Sequence, residues 1–358
     1  MDYAVIMAGG TGKRLWPLSR VKRPKQVLKI LDGETLLRRC YQRLSPMFDN
    51  RNIIVLTNSQ YVDTVRKNLP EVPYNNVIAE PAVRDTAGAI GLAATVLTKY
   101  DPEATMAVVT ADQLIEPAEV LQNAIKKAIK FVNQNPENII TFGIKPTYAS
   151  TQFGYIKCGR AVNDSGIYKV MEFKEKPDEE TAAEYFKDKK YLWNSGMFVW
   201  KAKTLLCLMK EFLPESTEPL KNIHRDWDGP NQQQSLVDWF MLLPKISIDY
   251  AIMEKAPGVH AIKLDCRWLD MGSFVALADF INSDNNKNIV AAGTNELLDC
   301  ENSIIVTEDQ EHLIACMGLK NVLVAHSDDA TLICSIDYAH KIKELLGRIE
   351  TKHGDRYL

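Results

Sequence analysis

The sequence predicts a Rossmann-like α/β protein, a mixed sheet with flanking helices, followed by a small β-rich C-terminal domain. Three observations predict it. Residues 3 to about 145 alternate short apolar runs with amphipathic stretches, the pattern of a parallel sheet covered by helices. The first apolar run ends in Gly9, Gly10 and Gly12, a turn of the kind that closes around phosphate. Past an Asn-rich stretch at 282–288, four short β runs recur at roughly ten-residue spacing.

Taken in order, the expected strands are 3–7, 52–57, 76–79, 106–110 and 138–144, with helical patterns between them at about 34–45, 59–69, 86–99 and 117–134. The helix from Thr86 opens with Thr86-Ala-Gly-Ala-Ile90, small residues that suit either close packing on the sheet or close approach of a nucleotide to its first turn. Between about 150 and 270 the alternation breaks. Short β segments at 155–158, 168–173 and 197–200 are separated by helices near 178–187, 202–213, 234–242 and 249–255, as expected of a lobe that completes the same sheet. The 358 residues exceed one ordinary core. We therefore expect a first domain over 1–285 and a second domain over 286–358, with β runs at 303–306, 312–316, 321–324 and 331–334 and a closing helix over 338–349.

Composition narrows the function. Hydrophobic residues make up 46% and charged residues 25%, as in globular proteins, and the net charge of −3 argues against a nucleic-acid-binding protein. The seven cysteines are scattered and never in C-x-x-C spacing, which suggests neither a zinc site nor a disulfide framework and fits reduced thiols in a cytoplasm. The chain enters its first strand with no leader pattern, and no apolar run approaches the ~20 residues of a membrane span. The expectation is a cytoplasmic protein with no membrane partner. None of the six histidines has ligand spacing.

The opening motif carries the chemistry. Four basic residues, Lys13, Arg14, Arg20 and Lys25, follow the glycines and offer charge to a polyphosphate. A P-loop is excluded because Met7 replaces its first glycine and Arg14 its Ser/Thr; a dinucleotide fingerprint fails because Leu15 replaces its third glycine. Asp112 closes the apolar run from Met106, which places a carboxylate at the carboxyl end of a parallel strand, where such sheets bind ligands.

The run Gly9-Gly-Thr-Gly-Lys-Arg-Leu-Trp-Pro17, continued by Leu18-Ser-Arg20 and Arg23-Pro-Lys-Gln26, resembles the signature of the sugar nucleotidyltransferases, and within them the mannose-1-phosphate guanylyltransferases. Further segments resemble that family in its own order: Glu80-Pro-Ala-Val-Arg-Asp-Thr86, Phe153-Gly-Tyr155, Glu175-Lys-Pro177, Asn194-Ser-Gly-Met-Phe198 and Trp268-Leu-Asp-Met-Gly-Ser273. The resemblance implies transfer of GMP from GTP to mannose 1-phosphate, giving GDP-mannose and pyrophosphate, with Mg²⁺ as cofactor and a homodimer as the assembly. It implies catalytic roles for Arg14, Lys25 and Asp112, and a nucleotide site of Ala8, Gly9, Gly10, Thr11, Gly12, Lys13, Arg14, Glu80, Arg84 and Thr86. It further implies a sugar-phosphate site of Gly154, Tyr155, Glu175, Lys176 and Asn194, and metal ligands Asp112 and Asp270. Magnesium suits this set, since it takes one or two carboxylates and fills its shell with phosphate oxygens and water. Asp270 could instead cap a helix near Ser273, and Trp193 could be core or touch the sugar.

Three positions depart from the family pattern. Lys13 stands where a small hydroxyl or acidic residue is common, Asp85 where Asn is common and Gln113 where His is often found. Glu80 is the expected base reader, because a carboxylate accepts from guanine's N1–H and N2–H₂ together. The chain ends before the isomerase domain fused to some relatives, so one activity is expected. Two alternatives stay open: the same chemistry on another sugar 1-phosphate or nucleotide, and a catalytically inactive subunit that senses nucleotide-sugars.

Overall fold

In the computed structural model, which describes residues 1–10, 12–30, 33–162 and 165–358, one nine-stranded sheet organises the first three quarters of the chain. Its strands in chain order are β1 (Asp2–Met7), β2 (Ile53–Asn58), β3 (Val77–Glu80), β4 (Thr105–Thr110), β6 (Ile139–Ile144), β7 (Tyr155–Ala161), β8 (Ile167–Lys174), β9 (Tyr191–Lys201) and β10 (Val259–Leu264), and they lie in the order β3-β2-β1-β4-β9-β6-β10-β8-β7. Strands β3, β2, β1 and β4 are parallel, whereas β9 runs antiparallel to both β4 and β6. The chain leaves β1 toward β2 on one side while β4 lies on the other, so the carboxyl ends of β1 and β4 open a crevice between them.

Apolar periodicity explains the helices over this sheet. In α1 (Leu36–Leu44), α2 (Val62–Asn68) and α4 (Ala118–Gln134) a stripe of Leu, Val, Ile and Ala faces one side; α3 (Asp85–Tyr100) is small and apolar almost all round and buries eleven consecutive residues from Ala87 to Leu97. Helices α5 (Glu179–Lys187), α6 (Ala202–Phe212), α7 (Thr217–Asp226) and α8 (Gln232–Phe240) complete the layers, and 249–253 forms a π-helical turn where an ordinary helix was expected. One further expectation is corrected. The segment expected at 197–200 is the end of a strand that begins at Tyr191, because Asn194-Ser-Gly196 continues the ladder with Gly196 at φ 70°. Helix α7 and strand β10 had no counterpart in the sequence reading. Nor had the ribbon of β5 (Gln113–Glu116) with β11 (Arg267–Asp270), paired antiparallel.

The C-terminal strands are β12 (Ile289–Ala291), β13 (Asn295–Leu298), β14 (Ile304–Thr307), β15 (Ile314–Met317), β16 (Val322–Ser327) and β17 (Ala330–Ser335), followed by helix α9 (Ile342–His353). Strands β12, β14 and β16 pair in parallel, as do β13 and β15, so the chain coils between two faces before β17 turns back on β16. Coil corners fall at Asn302 and Asn321, both at positive φ, which Asn tolerates, and their side chains bond at 3.1 Å. The inner face shares one apolar cluster with the opening loop: Ile304, Val306, Leu323 and Leu332 pack with Leu15, Trp16, Leu18, Leu28 and Phe274.

A chain ending at Asp284 should therefore be poorly soluble, because it bares this cluster. A soluble product that melts like the full chain would show the shared core to be dispensable.

Candidate active site

The site is built where β1 and β4 end. Ala8 extends the first strand as a buried residue, its N–H donating to Leu56 O at 2.8 Å and its carbonyl accepting from the Thr57 hydroxyl at 2.9 Å. The N–H groups of Gly9 and Gly10 have no partner among the described residues. Thr11 lies outside the described residues. Gly12 adopts φ 69°, and a Cβ there would stand 2.6 Å from the Lys25 Cβ. A Cβ on Gly10 would stand 3.2 Å from Lys25 Cε, and one on Gly9 3.2 Å from Glu80 Oε1. The glycines are thus required so that two functional side chains can pass beneath the loop.

Lys25 ion-pairs with Asp112, which follows β4. Asp270 is brought beside them by the ribbon: it registers with Gln113, and Met271 N–H donates to Asp112 O at 3.2 Å. The helical turn that follows starts at Val275 with Phe274 in the capping position, so the capping alternative for Asp270 is set aside. Its carboxyl is pushed up to about 6 by burial and by the Asp112 charge, with Lys25, Arg14 and Lys176 opposing. Burial pulls Lys25 down, but Asp112 and Asp270 outweigh it and hold the ammonium above its ordinary value. Two carboxylates crowded in low dielectric invite a cation, and oxygen ligands suit magnesium. Among the described residues no three His, Cys, Asp or Glu side chains gather to hold a metal alone, so the pair fits an ion that draws its remaining ligands from phosphate and water.

Of the other basic residues, Arg14 is exposed and its charge reaches Lys25 and Asp270. Arg20 is corrected: it turns away from the glycines to bond Tyr357 O, Ser327 Oγ at 3.0 Å and Asp329 at 2.5 Å. Lys13 also faces the C-terminal side, lining a cavity of about 340 Å³ with Trp16, Lys343 and Leu346. Its assignment to the nucleotide site finds no support in this placement.

Glu80 ends β3 with 8% of its surface exposed and no hydrogen bond among the described residues, and burial pushes its carboxyl up to about 7. Arg84 and Thr86 are occupied structurally: Arg84 donates to Met241 O, and the Thr86 hydroxyl accepts from Ile248 N at 2.8 Å. Asp85 sits at φ 59° and accepts from Thr86 N at 2.8 Å, a turn suited to Asn or Asp.

A second polar cluster lies along β9. Lys176, at φ 44°, ion-pairs with buried Glu175 at 2.7 Å. Asn194 accepts from Thr141 Oγ1 at 2.9 Å and donates to Asp249 at 2.8 Å. Gly154 O accepts from Asn194 N at 2.8 Å, and a Cβ on Gly154 would meet Glu175 Oε2 at 2.3 Å. The Tyr155 side chain is fully buried and its hydroxyl accepts from Ser150 N, which leaves the expected approach to the sugar to its backbone. Trp193 is likewise buried. Asp249 was missed by the sequence reading. It is a lone acid among buried Ile248, Ala251, Ile252 and Met253, a signal that was available, and burial with the Glu175 charge pushes it up to about 7. Gln113 acquires a reason: its amide donates to Ser195 O at 2.6 Å and its carbonyl accepts from Trp268 Nε1 at 3.1 Å, tying β9 to the ribbon that carries Asp270.

This arrangement can be set against known proteins. The nucleotidyl transferase family model matches residues 3–287, and the mannose-P isomerase/GMP-like β-helix domain model matches 293–349. A mannose-1-phosphate guanylyltransferase from Escherichia coli is 34% identical over 97% of this chain and 75% of its own length. The chain belongs to the mannose-1-phosphate guanylyltransferase family of nucleotidyl transferases. Its membership extends to the whole architecture: a Thermus thermophilus structure described as a mannose-1-phosphate geranyltransferase superposes with a TM-score of 0.87 at 31% identity, covering 98% of this chain and 99% of that one. A Helicobacter pylori structure described as a mannose-6-phosphate isomerase covers 75% of this chain and all of its own, at a TM-score of 0.60 and 25% identity. Within this guanylyltransferase family fold, none of the helices among the described residues is long and apolar enough to cross a membrane, and all seven cysteines are free.

Glu80 gives a pH signature. Its carboxyl ionises at 4.5 when unfolded and at about 7 when folded. The folded state then binds the extra proton between these values, so stability falls as pH rises through that window, by about 3 kcal/mol at most. Glu80→Gln should be more stable than wild type at pH 8 and nearly equal at pH 5 in urea titrations. Equal differences at both pH values would remove the buried carboxyl as their cause.

Proposed function

We propose that this chain transfers GMP from GTP to α-D-mannose 1-phosphate, releasing pyrophosphate and so making GDP-mannose, as a cytoplasmic homodimer with residues 1–285 as the catalytic domain and 286–358 as a packed auxiliary domain. The observation that carries the reading is the meeting of Lys25, Asp112 and Asp270 under a glycine loop, at the crevice between β1 and β4. A second polar cluster lies within electrostatic reach, since the Lys176 charge acts on Asp270.

The reaction is an in-line displacement. A phosphate oxygen of the sugar bonds to the α-phosphorus as the bond to the bridging oxygen of pyrophosphate breaks. Both reactants are anions, so positioning and charge neutralisation are what the protein must supply. The free N–H groups of Gly9 and Gly10 receive phosphate oxygens, and Arg14 holds the β- and γ-phosphates as they depart. Lys25 stabilises charge at the α-phosphate, where it can exchange its partner Asp112 for the substrate. Family members generally use a divalent metal; Asp112 and Asp270 would hold Mg²⁺, which when bound neutralises the triphosphate and polarises its oxygens. Glu80 accepts from the guanine edge, with the loss of its proton compensated by two N–H donors. Lys176 reaches the sugar phosphate, while Glu175, Asn194 and Asp249 offer acceptors and a donor to the sugar hydroxyls beside the open backbone of Gly154.

Homodimer formation finds its best candidate surface on the C-terminal coils, where Leu298, Leu313, Met317 and Ile333 are exposed apolar residues. The assembly can be read from light scattering.

Pyrophosphate release across a panel of nucleotides and sugar 1-phosphates tests the activity: GTP with mannose 1-phosphate should be the best pair, and a better pyrimidine nucleotide would overturn the Glu80 assignment. Asp112→Asn and Asp270→Asn should each lower kcat by roughly a hundredfold or more while leaving the fold intact, because each removes charge from the metal pair. Near-normal kcat at saturating Mg²⁺ would remove that residue from the metal site. Glu80→Gln should cut kcat/KM for GTP and narrow its margin over UTP, since a carboxamide no longer repels the pyrimidine's carbonyl edge. An unchanged preference would point to another reader.

A further inference from the structure

The chain between Arg23 and Lys29 carries Lys25 yet has only a single 3₁₀ turn, Lys25–Val27, to give it shape. Its apolar side is held by the burial of Val27, Leu28 and Ile30. Its polar side is held from almost 280 residues away. Glu308 directly follows β14, and its two carboxylate oxygens divide their work: Oε2 ion-pairs with Arg23 Nη2 at 2.8 Å, and Oε1 accepts from Lys29 N at 2.5 Å. Arg23 stands two residues before Lys25 and Lys29 four after it, so one carboxylate grips both ends of the turn. The preceding bend is closed by reciprocal backbone bonds of Arg20 and Arg23, at 2.8 and 3.0 Å, while the Arg20 side chain is fixed to Ser327 and Asp329.

The Glu308 side chain is only 8% exposed. Burial pushes its carboxyl up, and the Lys29 amide and the charges of Arg23 and Lys29 act against that. A buried carboxylate so placed is costly unless both partners are present. Nothing in the apolar packing of the coils requires a charge at this position, since the neighbouring core residues Ile304, Val306 and Leu323 are hydrocarbon.

We infer that Glu308 is a positioning residue for the transfer step: it clamps the 23–29 turn so that the Lys25 ammonium is held at Asp112, and through it the C-terminal coils set the rate of a reaction none of their side chains touches. The inference rests on the reading of Lys25 as the cation of that step. A turn released at both ends would let the lysine sample positions away from the α-phosphate, and small displacements of a catalytic charge are expensive in rate.

The test compares Glu308→Ala, Glu308→Gln and Lys25→Ala, singly and combined, by pyrophosphate release in the full chain. Glu308→Ala should lower kcat by about tenfold or more with KM for GTP and mannose 1-phosphate changed less than about threefold, and Glu308→Gln, which keeps an acceptor for Lys29 N–H but loses the charge facing Arg23, should fall between. In the Lys25→Ala background the same Glu308→Ala change should cost less than about twofold, because the residue acts through the lysine that is already gone. Amide exchange should quicken in peptides covering 20–30 and stay unchanged in those covering 304–307 and 322–327. Equal losses in both backgrounds, or a folded Glu308→Ala with wild-type kcat, would overturn the inference. Should Glu308→Ala fail to fold, Glu308→Gln decides by the same comparison of backgrounds. Wild-type kcat in Lys25→Ala alone would instead defeat the reading of Lys25, a result distinct from a crippled Lys25→Ala beside an unaffected Glu308→Ala.

Discussion

The rest of the molecule is arranged around an electrostatic constraint, the placing of two aspartates side by side in a buried crevice. Asp112 comes from the end of β4 and Asp270 from the end of β11, and the β5–β11 ribbon fixes their separation with backbone hydrogen bonds. Left alone, such a pair would repel and take up a proton. Lys25 relieves part of that repulsion from below, and this needs a loop with no Cβ at Gly10 or Gly12 to let it pass. The charges, the glycines and the ribbon are therefore parts of one solution. Removing any of them changes what the others must do.

The division of basic residues follows from the same constraint. Had Lys13, Arg14, Arg20 and Lys25 all faced the crevice, four cations would have crowded two carboxylates with no ligand present. Instead the loop splits them. Lys25 turns inward to Asp112 and Arg14 stays exposed with its charge reaching the pair, whereas Arg20 with Arg23 faces the C-terminal coils, where Asp329 and Glu308 receive them. The opening loop is thereby a two-sided element, with the Lys25–Asp112 pair on one face and an internal interface on the other, and Trp16 reinforces the second face by donating to Tyr357 O at 2.6 Å.

Much of the parallel half was legible because strands buried on both faces read as continuous apolar runs; β1 to β4 and β6 lie within a residue or so of their expected limits. What escaped was polar for a reason. The first part of β9 contains Asn194, Ser195 and Gly196, which interrupt the apolar run: Asn194 belongs to the second polar cluster, the Ser195 carbonyl receives Gln113, and Gly196 supplies the positive φ. The ribbon of β5 and β11 is four residues on each side and its pairing joins positions more than 150 apart, so no local signal announces it. The coiled parallel arrangement of the C-terminal strands was hidden because ten-residue spacing serves hairpins equally well. Among the site residues, motif order singled out Lys25, Asp112, Asp270, Glu175 and Asn194, which the fold gathers into two clusters. It could not reveal that Arg84 bonds Met241 O, that the Thr86 hydroxyl accepts from Ile248 N, or that Asp249 stands beside Asn194, since these pairings are tertiary.

Strand β9 has a further consequence. It pairs with β4, which leads to Asp112, through Phe198 and Val108, and with β6 through Asn194 and Gly143, so groups from both clusters hang from one hydrogen-bonded frame. The spacing between them is a property of the backbone and is indifferent to which side chains occupy the second polar cluster. A lineage could then exchange residues around Gly154, Glu175 and Asn194 without disturbing the cluster of Lys25, Asp112 and Asp270. On such a scaffold, diversity of substrate and constancy of chemistry can evolve separately.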